Sequence, residues 1–291
     1  MEEQSLERVY YRIGDLVFEL ISDLPYPIEF GPSQSFRIAP EKPDYTYRLF
    51  KGQSMPEFIG DVTVKDSEGI YCELVNAEGT YFRSVACSDQ FFDTAVRLES
   101  DGGQIMYLSY SLLAERFKRG FDPTNLFALE HVFFERGGMI LHSSHVNVKG
   151  KALLFSAPSG TGKSTQADLW AEYEGAKVMN GDRTLLRKKE GVWTAYGCPM
   201  CGTSNIHQQG SEPIYAIVML EQGKENCVQK LSAGEAFSLI YPQITVPKWK
   251  RELVFKAMEL IDDLIASIPI YKYSCTKDKD AVTILKRELD L

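Results

Sequence analysis

The strongest chemical signal in the 291-residue chain is one contiguous run, Ala157-Pro158-Ser159-Gly160-Thr161-Gly162-Lys163-Ser164. Its spacing follows the phosphate-loop pattern G-x-x-x-x-G-K-[ST], with alanine at the first glycine position. Glycines let the backbone wrap closely, so that successive N–H groups point inward at phosphate oxygens. A helix starting near Ser164 adds its positive end, roughly half a charge, to that nest. Ser159, Gly160, Thr161, Gly162, Lys163, Ser164 and Thr165 are therefore the residues expected to hold a nucleotide polyphosphate. Lys163 can reach the β and γ phosphates, and the Ser164 hydroxyl can serve Mg²⁺.

Phosphoryl transfer also needs a carboxylate near the metal, commonly at the end of a neighbouring strand. Asp182, after the strand-like Lys177-Val178-Met179 and inside Asn180-Gly181-Asp182, is the first candidate, and Glu221 the second. Arg183 beside Asp182 can meet a phosphate or simply open the next hairpin as a surface charge. His142 and His145 lie just upstream of the strand that leads into the loop. An antiparallel turn there would carry His142 toward the nucleotide end, where an imidazole can act on a phosphate or metal. His145 reads more simply as a packed core histidine.

These residues need a scaffold, and the chain changes character near Phe121. Upstream, Leu16–Phe18, Tyr45–Phe50 and Ile70–Leu74 are β-branched or aromatic runs, separated by turn-type clusters at 66–69, 77–79 and 101–103. Downstream, Asp122-Pro123 reads as a helix start, with Leu126, Leu129, Val132 and Phe133 at helical spacing and Gly137-Gly138 as its end. Met139–Leu141 and Val146–Val148 read as two short strand pieces turning at Lys149-Gly150-Lys151. Ala152–Ser156 reads as a buried strand and Ser164 to about Tyr173 as a helix. Arg183–Leu186 and Val192–Tyr196 flank a Lys-Lys-Glu-Gly turn, Ile214–Leu220 is a buried strand, and Tyr271–Tyr273 lies between helices at Glu252–Ile268 and Asp278–Leu289. The expected organisation is a β-rich accessory region, residues 1–118, and an α/β phosphate-loop domain, residues 119–291.

Composition narrows the class. Lysine and arginine total 32 against 40 acids, a formal charge of −8, which argues against a nucleic-acid binder. Small anionic ligands need only a local positive pocket. No apolar run approaches the roughly 20 residues of a membrane-spanning helix, so no membrane partner is expected. The first residues lack the apolar core of a signal peptide, and the six cysteines lack the dense spacing of a disulfide scaffold. A cytoplasmic protein is the expectation.

The run from His142 to Lys163 resembles the catalytic domain of HPr kinase/phosphorylase and its relatives with phosphoenolpyruvate-carboxykinase-type nucleotide folds. His142, Gly150 and Gly160-Thr161-Gly162-Lys163-Ser164 fall in register with that family, over about residues 120–230. The resemblance implies a phosphate loop set in a mixed, partly antiparallel sheet, with His142 near the γ-phosphate or metal. The family usually shows paired aspartates where this chain has Gly181-Asp182, and the N-terminal region carries no likeness to the family's own.

The expected function is an ATP- and Mg²⁺-dependent kinase acting on a hydroxyl of a small molecule, peptide or protein serine. Lys163 would stabilise the transferred phosphoryl, Ser164 and Asp182 would hold the metal, and His142 or Asp182 would take the acceptor proton. A nucleotide-sensing module without transfer and a phosphorylase using phosphate or pyrophosphate are the alternatives. Related kinases often assemble, so a homo-oligomer is possible. Cys198-Pro199-Met200-Cys201 is open to metal binding, redox control or a packed loop. The stretch Gly197–Asn205 is placed on the acceptor side, and Arg187-Lys188-Lys189 at a hairpin tip.

Overall fold

The computed structural model describes residues 6–22, 31–51, 60–65, 71–76, 81–88, 91–98, 104–109, 124, 127–246 and 251–291. Contacts divide the chain into two compact units, Met1–Leu129 with Lys248–Arg251, and Glu130–Pro247 with Glu252–Leu291. The division falls at Leu129/Glu130, beyond the boundary read at residue 118 from the sequence.

The first unit is a nine-stranded sheet of β1 (Glu7–Ile13), β2 (Leu16–Ser22), β3 (Arg37–Ile38), β4 (Tyr45–Lys51), β5 (Gly60–Lys65), β6 (Tyr71–Asn76), β7 (Tyr81–Ser88), β8 (Phe91–Leu98) and β9 (Gln104–Ser109). The order is β3-β1-β2-β4-β9-β8-β7-β6-β5, antiparallel except at β2–β4 and β4–β9. Aromatic residues hold its described part: Phe127 stacks on Phe18 at 5.4 Å, and its carbonyl accepts a hydrogen bond from Tyr47 at 2.6 Å. The turn clusters at 66–69, 77–79 and 101–103 lie outside the described residues.

The second unit is mixed α/β. In chain order it contains α1 (Leu129–Glu135), β10 (Gly138–Val148), β11 (Lys151–Ser156), α2 (Lys163–Glu174), β12 (Lys177–Asn180), β13 (Arg183–Lys189) and β14 (Val192–Tyr196). There follow β15 (Ser211–Gln222), β16 (Cys227–Lys230), α3 (Ala233–Ile240), α4 (Arg251–Ser267), β17 (Ile270–Cys275) and α5 (Lys279–Leu289). Pairing runs β11-β10-β13-β14-β15-β17-β16, with an added β11–β15 ladder and β12 paired to β10. The β11–β15 and β15–β17 ladders are parallel and the others antiparallel.

The central strands are apolar on both faces because both faces are covered, as buried strands require. Along β11, Ala152 and Leu154 enter one core with Trp193, Ile240, Ile261 and Leu264, while Leu153 and Phe155 enter another with Trp170, Tyr273, Val282 and Leu285. The same alternation along β15 sends Ile217 one way and Val218 the other. α2 is thereby fixed behind β11 through Ala167 and Trp170.

Several elements differ from the sequence reading. The helix read from Asp122 begins at Leu129, because Ala128 takes a left-handed φ of 49°; Asp122, Pro123 and Leu126 lie outside the described residues. The two pieces around His142 and His145 form one strand of 11 residues. Its polar middle stays extended because each serine has a partner: Ser143 Oγ donates to Thr184 Oγ1 at 2.8 Å, and Ser144 Oγ to the Gly181 carbonyl at 3.0 Å. Arg187-Lys188-Lys189 belongs to β13, and the hairpin turns at Glu190-Gly191, both with positive φ, which suits the strand twist. α3 was not anticipated, although Ser232 and Glu235 form the S-x-x-E capping signal; the Ser232 N–H donates to Glu235 Oε2 at 2.9 Å. Among the described residues, no helix is long and apolar enough to cross a membrane.

Candidate active site

β11 ends at Ser156, and the glycine-rich loop joins it to α2. Gly160 and Gly162 take φ of 78° and 118°, conformations that side-chain-bearing residues rarely adopt, and the space beside both is open. From the far side, Gln222 at the end of β15 donates to the Gly160 carbonyl at 3.2 Å. Ser164 is exposed on the first turn of α2 and Thr165 is half-buried. Lys163 turns inward, and Nζ donates to the carbonyls of Ala157 at 3.0 Å and Pro158 at 3.3 Å. Burial holds its ammonium below the ordinary lysine range; the Asp182 charge opposes that shift and the Arg183 charge adds to it.

β10 lies between this loop and the second cluster. Its latter half pairs with β11, and Ser156 Oγ donates to the His142 carbonyl at 2.8 Å. Its first half pairs with β13 and places His142 directly opposite Arg183. Residues directly opposite in an antiparallel pair share a face, so both side chains stand on the same side. His142 Nε2 is 3.2 Å from Asp182 Oδ1, and Asp182 Oδ2 is 3.7 Å from Arg183 Nε. The hydrogen bond with His142 holds the Asp182 carboxyl below the usual carboxylate range against the opposing effect of burial, and the charges of Arg183 and Lys163 assist it.

Asn180 makes the turn that presents Asp182. Its buried Oδ1 accepts from the backbone N–H of Asp182 at 2.8 Å and of Arg183 at 2.9 Å, closing the chain around the acid. Its Nδ2 donates to the carbonyls of Cys198 at 2.7 Å and Met200 at 3.1 Å. The loop so anchored lies against the acid: a Cβ on Gly202 would sit 2.8 Å from Asp182 Cγ. A Cβ on Gly181 would sit 2.2 Å from Ser204 Oγ, so Ser204 fills the space beside the turn where a second side chain would begin. The Ser204 hydroxyl donates to the Cys201 carbonyl at 2.6 Å.

His142, Asp182, Arg183 and Lys163 thus form one electrostatically linked group. Glu221 is elsewhere engaged, with Oε2 2.7 Å from Lys272 Nζ. His145 is fully buried with Nε2 2.9 Å from Glu212 Oε2, and Asn147 donates to Glu212 Oε1 at 2.6 Å. Burial pushes the Glu212 carboxyl up, but His145 and Asn147 outweigh it and leave the group low. Cys198 and Cys201 are both buried, and among the described residues no group of three or more His, Cys, Asp and Glu side chains is arranged to hold a metal. Sequence reasoning missed Gln243, whose Oε1 lies 3.2 Å from His142 Nδ1. It also missed the roles of Asn180 and Ser204. An Asn-Gly turn signal was available for Asn180, but nothing local marks Gln243.

No family model matches the sequence, and no curated protein matches it. Among solved structures, the chain is similar to the HPr(Ser) kinase/phosphatase from Coxiella burnetii, at 9% identity, over 52% of this chain and 99% of that one, with a TM-score of 0.31. The described structure defines a protein with a mixed α/β unit and sheets of mixed strand orientation.

Proposed function

We propose that the chain is an ATP- and Mg²⁺-dependent phosphotransferase that moves a phosphoryl group onto a hydroxyl of a small molecule, peptide or protein serine. One observation supports this most: buried Lys163 lies at the base of a glycine-rich loop that joins a strand to a helix, its ammonium held on the carbonyls of Ala157 and Pro158, with the Asp182 carboxylate acting on its charge. The open space beside Gly160 and Gly162 suits close approach of phosphate oxygens.

The residues also fit Mg²⁺, which commonly takes one or two protein ligands and completes its shell with water and substrate phosphates. Asp182, held ionised, and exposed Ser164 would hold it, and it would neutralise charge on the β and γ phosphates. The acceptor oxygen bonds to the γ-phosphorus as the bond from that phosphorus to the β–γ bridging oxygen breaks. The hydroxyl proton passes to the Asp182–His142 pair. Lys163 stabilises the charge on the transferred group, and a partly desolvated cation does so more strongly than one in water. Positioning and electrostatics supply nearly all catalysis in this chemistry, so a short residue set suffices.

One observation favours a second reading, nucleotide binding without transfer. Ser204 fills the space beside Gly181, leaving Asp182 as the acid of that turn. The two readings separate on incubating the protein with γ-labelled ATP, Mg²⁺ and a cell extract split into small-molecule and protein fractions. Label in either fraction supports transfer and says whether the acceptor is a metabolite or a polypeptide. Saturable ATP binding without label in either fraction overturns transfer in favour of binding alone.

A further inference from the structure

Arg183 has no part in the roles given above to Lys163, Asp182 and His142. Its position is set by two independent features. Pairing of β10 with β13 puts it opposite His142, and the Asn180 turn binds its backbone N–H at 2.9 Å. Its guanidinium is little used. Among the described residues, the structure gives it one loose contact, Nε to Asp182 Oδ2 at 3.7 Å, beyond hydrogen-bond distance. The side chain is 30% exposed, so it is neither buried in packing nor spread in solvent.

The charges in this cluster do not balance. Lys163 and Arg183 are two cations, and Asp182 is the carboxylate they share. The neighbouring turn position is Gly181, and Ser204 occupies the space that an acidic side chain there would need. An excess of positive charge on a partly desolvated face calls for an anion from outside the chain. A guanidinium presents a planar fork of donors, which suits two oxygens of one phosphate better than a point charge does.

We propose that Arg183 binds the terminal phosphate of a nucleoside triphosphate and so distinguishes triphosphate from diphosphate at this site. The proposal rests on the nucleotide-binding reading above and adds to it a specificity residue. Lys163, rooted in the loop, reaches the β phosphate that both nucleotides carry as well as the γ phosphate. Arg183, on the β10–β13 face with Asp182 and His142, meets the group that only the triphosphate carries.

The test is calorimetric titration of the full chain with Mg²⁺ and either ADP or an ATP analogue with nitrogen bridging the β and γ phosphates. Wild type, Arg183→Ala, Arg183→Lys and Lys163→Ala are compared, with circular dichroism to verify folding. Arg183→Ala is expected to weaken the triphosphate analogue about tenfold to a hundredfold, the range of one charge-assisted paired contact, and to change ADP by less than about twofold. Arg183→Lys is expected to fall between, since it keeps the charge and loses the fork. Equal weakening of both nucleotides by Arg183→Ala, or weakening of neither, overturns this proposal while wild-type binding sensitive to Lys163→Ala keeps the broader reading. A wild-type chain that binds neither nucleotide overturns both.

Discussion

A methyl group at position 181 should collide with one identifiable side chain. The Cβ of Gly181→Ala would lie 2.2 Å from Ser204 Oγ and 2.5 Å from Ser204 Cβ, with the nearest backbone atom at 4.0 Å. The obstacle is therefore the serine side chain rather than the fold. Moving it forfeits the bond from Ser204 Oγ to the Cys201 carbonyl at 2.6 Å. Overpacking costs about 1–3 kcal/mol and the lost hydrogen bond about 1 kcal/mol, giving about 2–4 kcal/mol for the single substitution. Ser204→Gly removes both clashing atoms and should itself cost about 1–2 kcal/mol, from the same bond and the added chain freedom. The double variant should then be little worse than Ser204→Gly alone, a coupling close to the whole cost of the single Gly181→Ala, about 2–4 kcal/mol. Denaturant unfolding of wild type, both singles and the double, followed by tryptophan fluorescence, measures this directly. An unaffected Gly181→Ala, or a double variant whose loss is the sum of the two singles, would refute the idea that Ser204 fills this space.

Other outcomes follow from the same geometry. Asn180→Ala should destabilise the chain by about 3–4 kcal/mol, since four hydrogen bonds of about 1 kcal/mol each go with it; a loss under about 1 kcal/mol in thermal or denaturant unfolding would contradict the turn's role. Glu212→Ala leaves His145 buried without its acid and should cost about 3 kcal/mol, with nucleotide affinity unchanged in titration. Asp182→Asn should cost stability at neutral pH and progressively less in acid. The folded carboxyl titrates below its unfolded value of about 3.9, so its contribution is fully present above that value and lost as pH falls through the folded one. Denaturant midpoints of wild type and variant from neutral pH downward check the sign, and a constant difference at every pH contradicts it.

The parts legible in the sequence are those whose physics is local. A glycine-rich turn from strand to helix has its determinants within a few residues, so Gly160 to Ser164 stands out in the bare chain, and the structure joins β11 to α2 there. Ile214–Leu220 reads as a buried strand because both its faces are covered, and β15 contains it. The rest depends on contacts distant in sequence. His142 meets Gln243, 101 positions away, and no motif announces that pairing. The continuity of β10 through Ser143 and Ser144 depends on Thr184 and Gly181, which lie beyond β12 in the chain, 41 and 37 positions away. Gly181 reads as the place of a missing acid, and what the sequence does not show is that Ser204, from another loop, takes the space beside it. Helix α1 starts late for a local reason that composition hides, the left-handed backbone at Ala128.

Lys163 carries the central claim, and its substitution tests it most directly. Burial holds its ammonium below the ordinary lysine range, an arrangement that costs stability, and the proposed nucleotide would use that charge. Turnover of γ-labelled ATP onto the acceptor fraction is measured for wild type and Lys163→Ala, alongside their melting temperatures. The account predicts a loss of at least about a hundredfold in turnover, about 2.7 kcal/mol of transition-state stabilisation, with the variant still folded. Near-normal transfer by folded Lys163→Ala would contradict it.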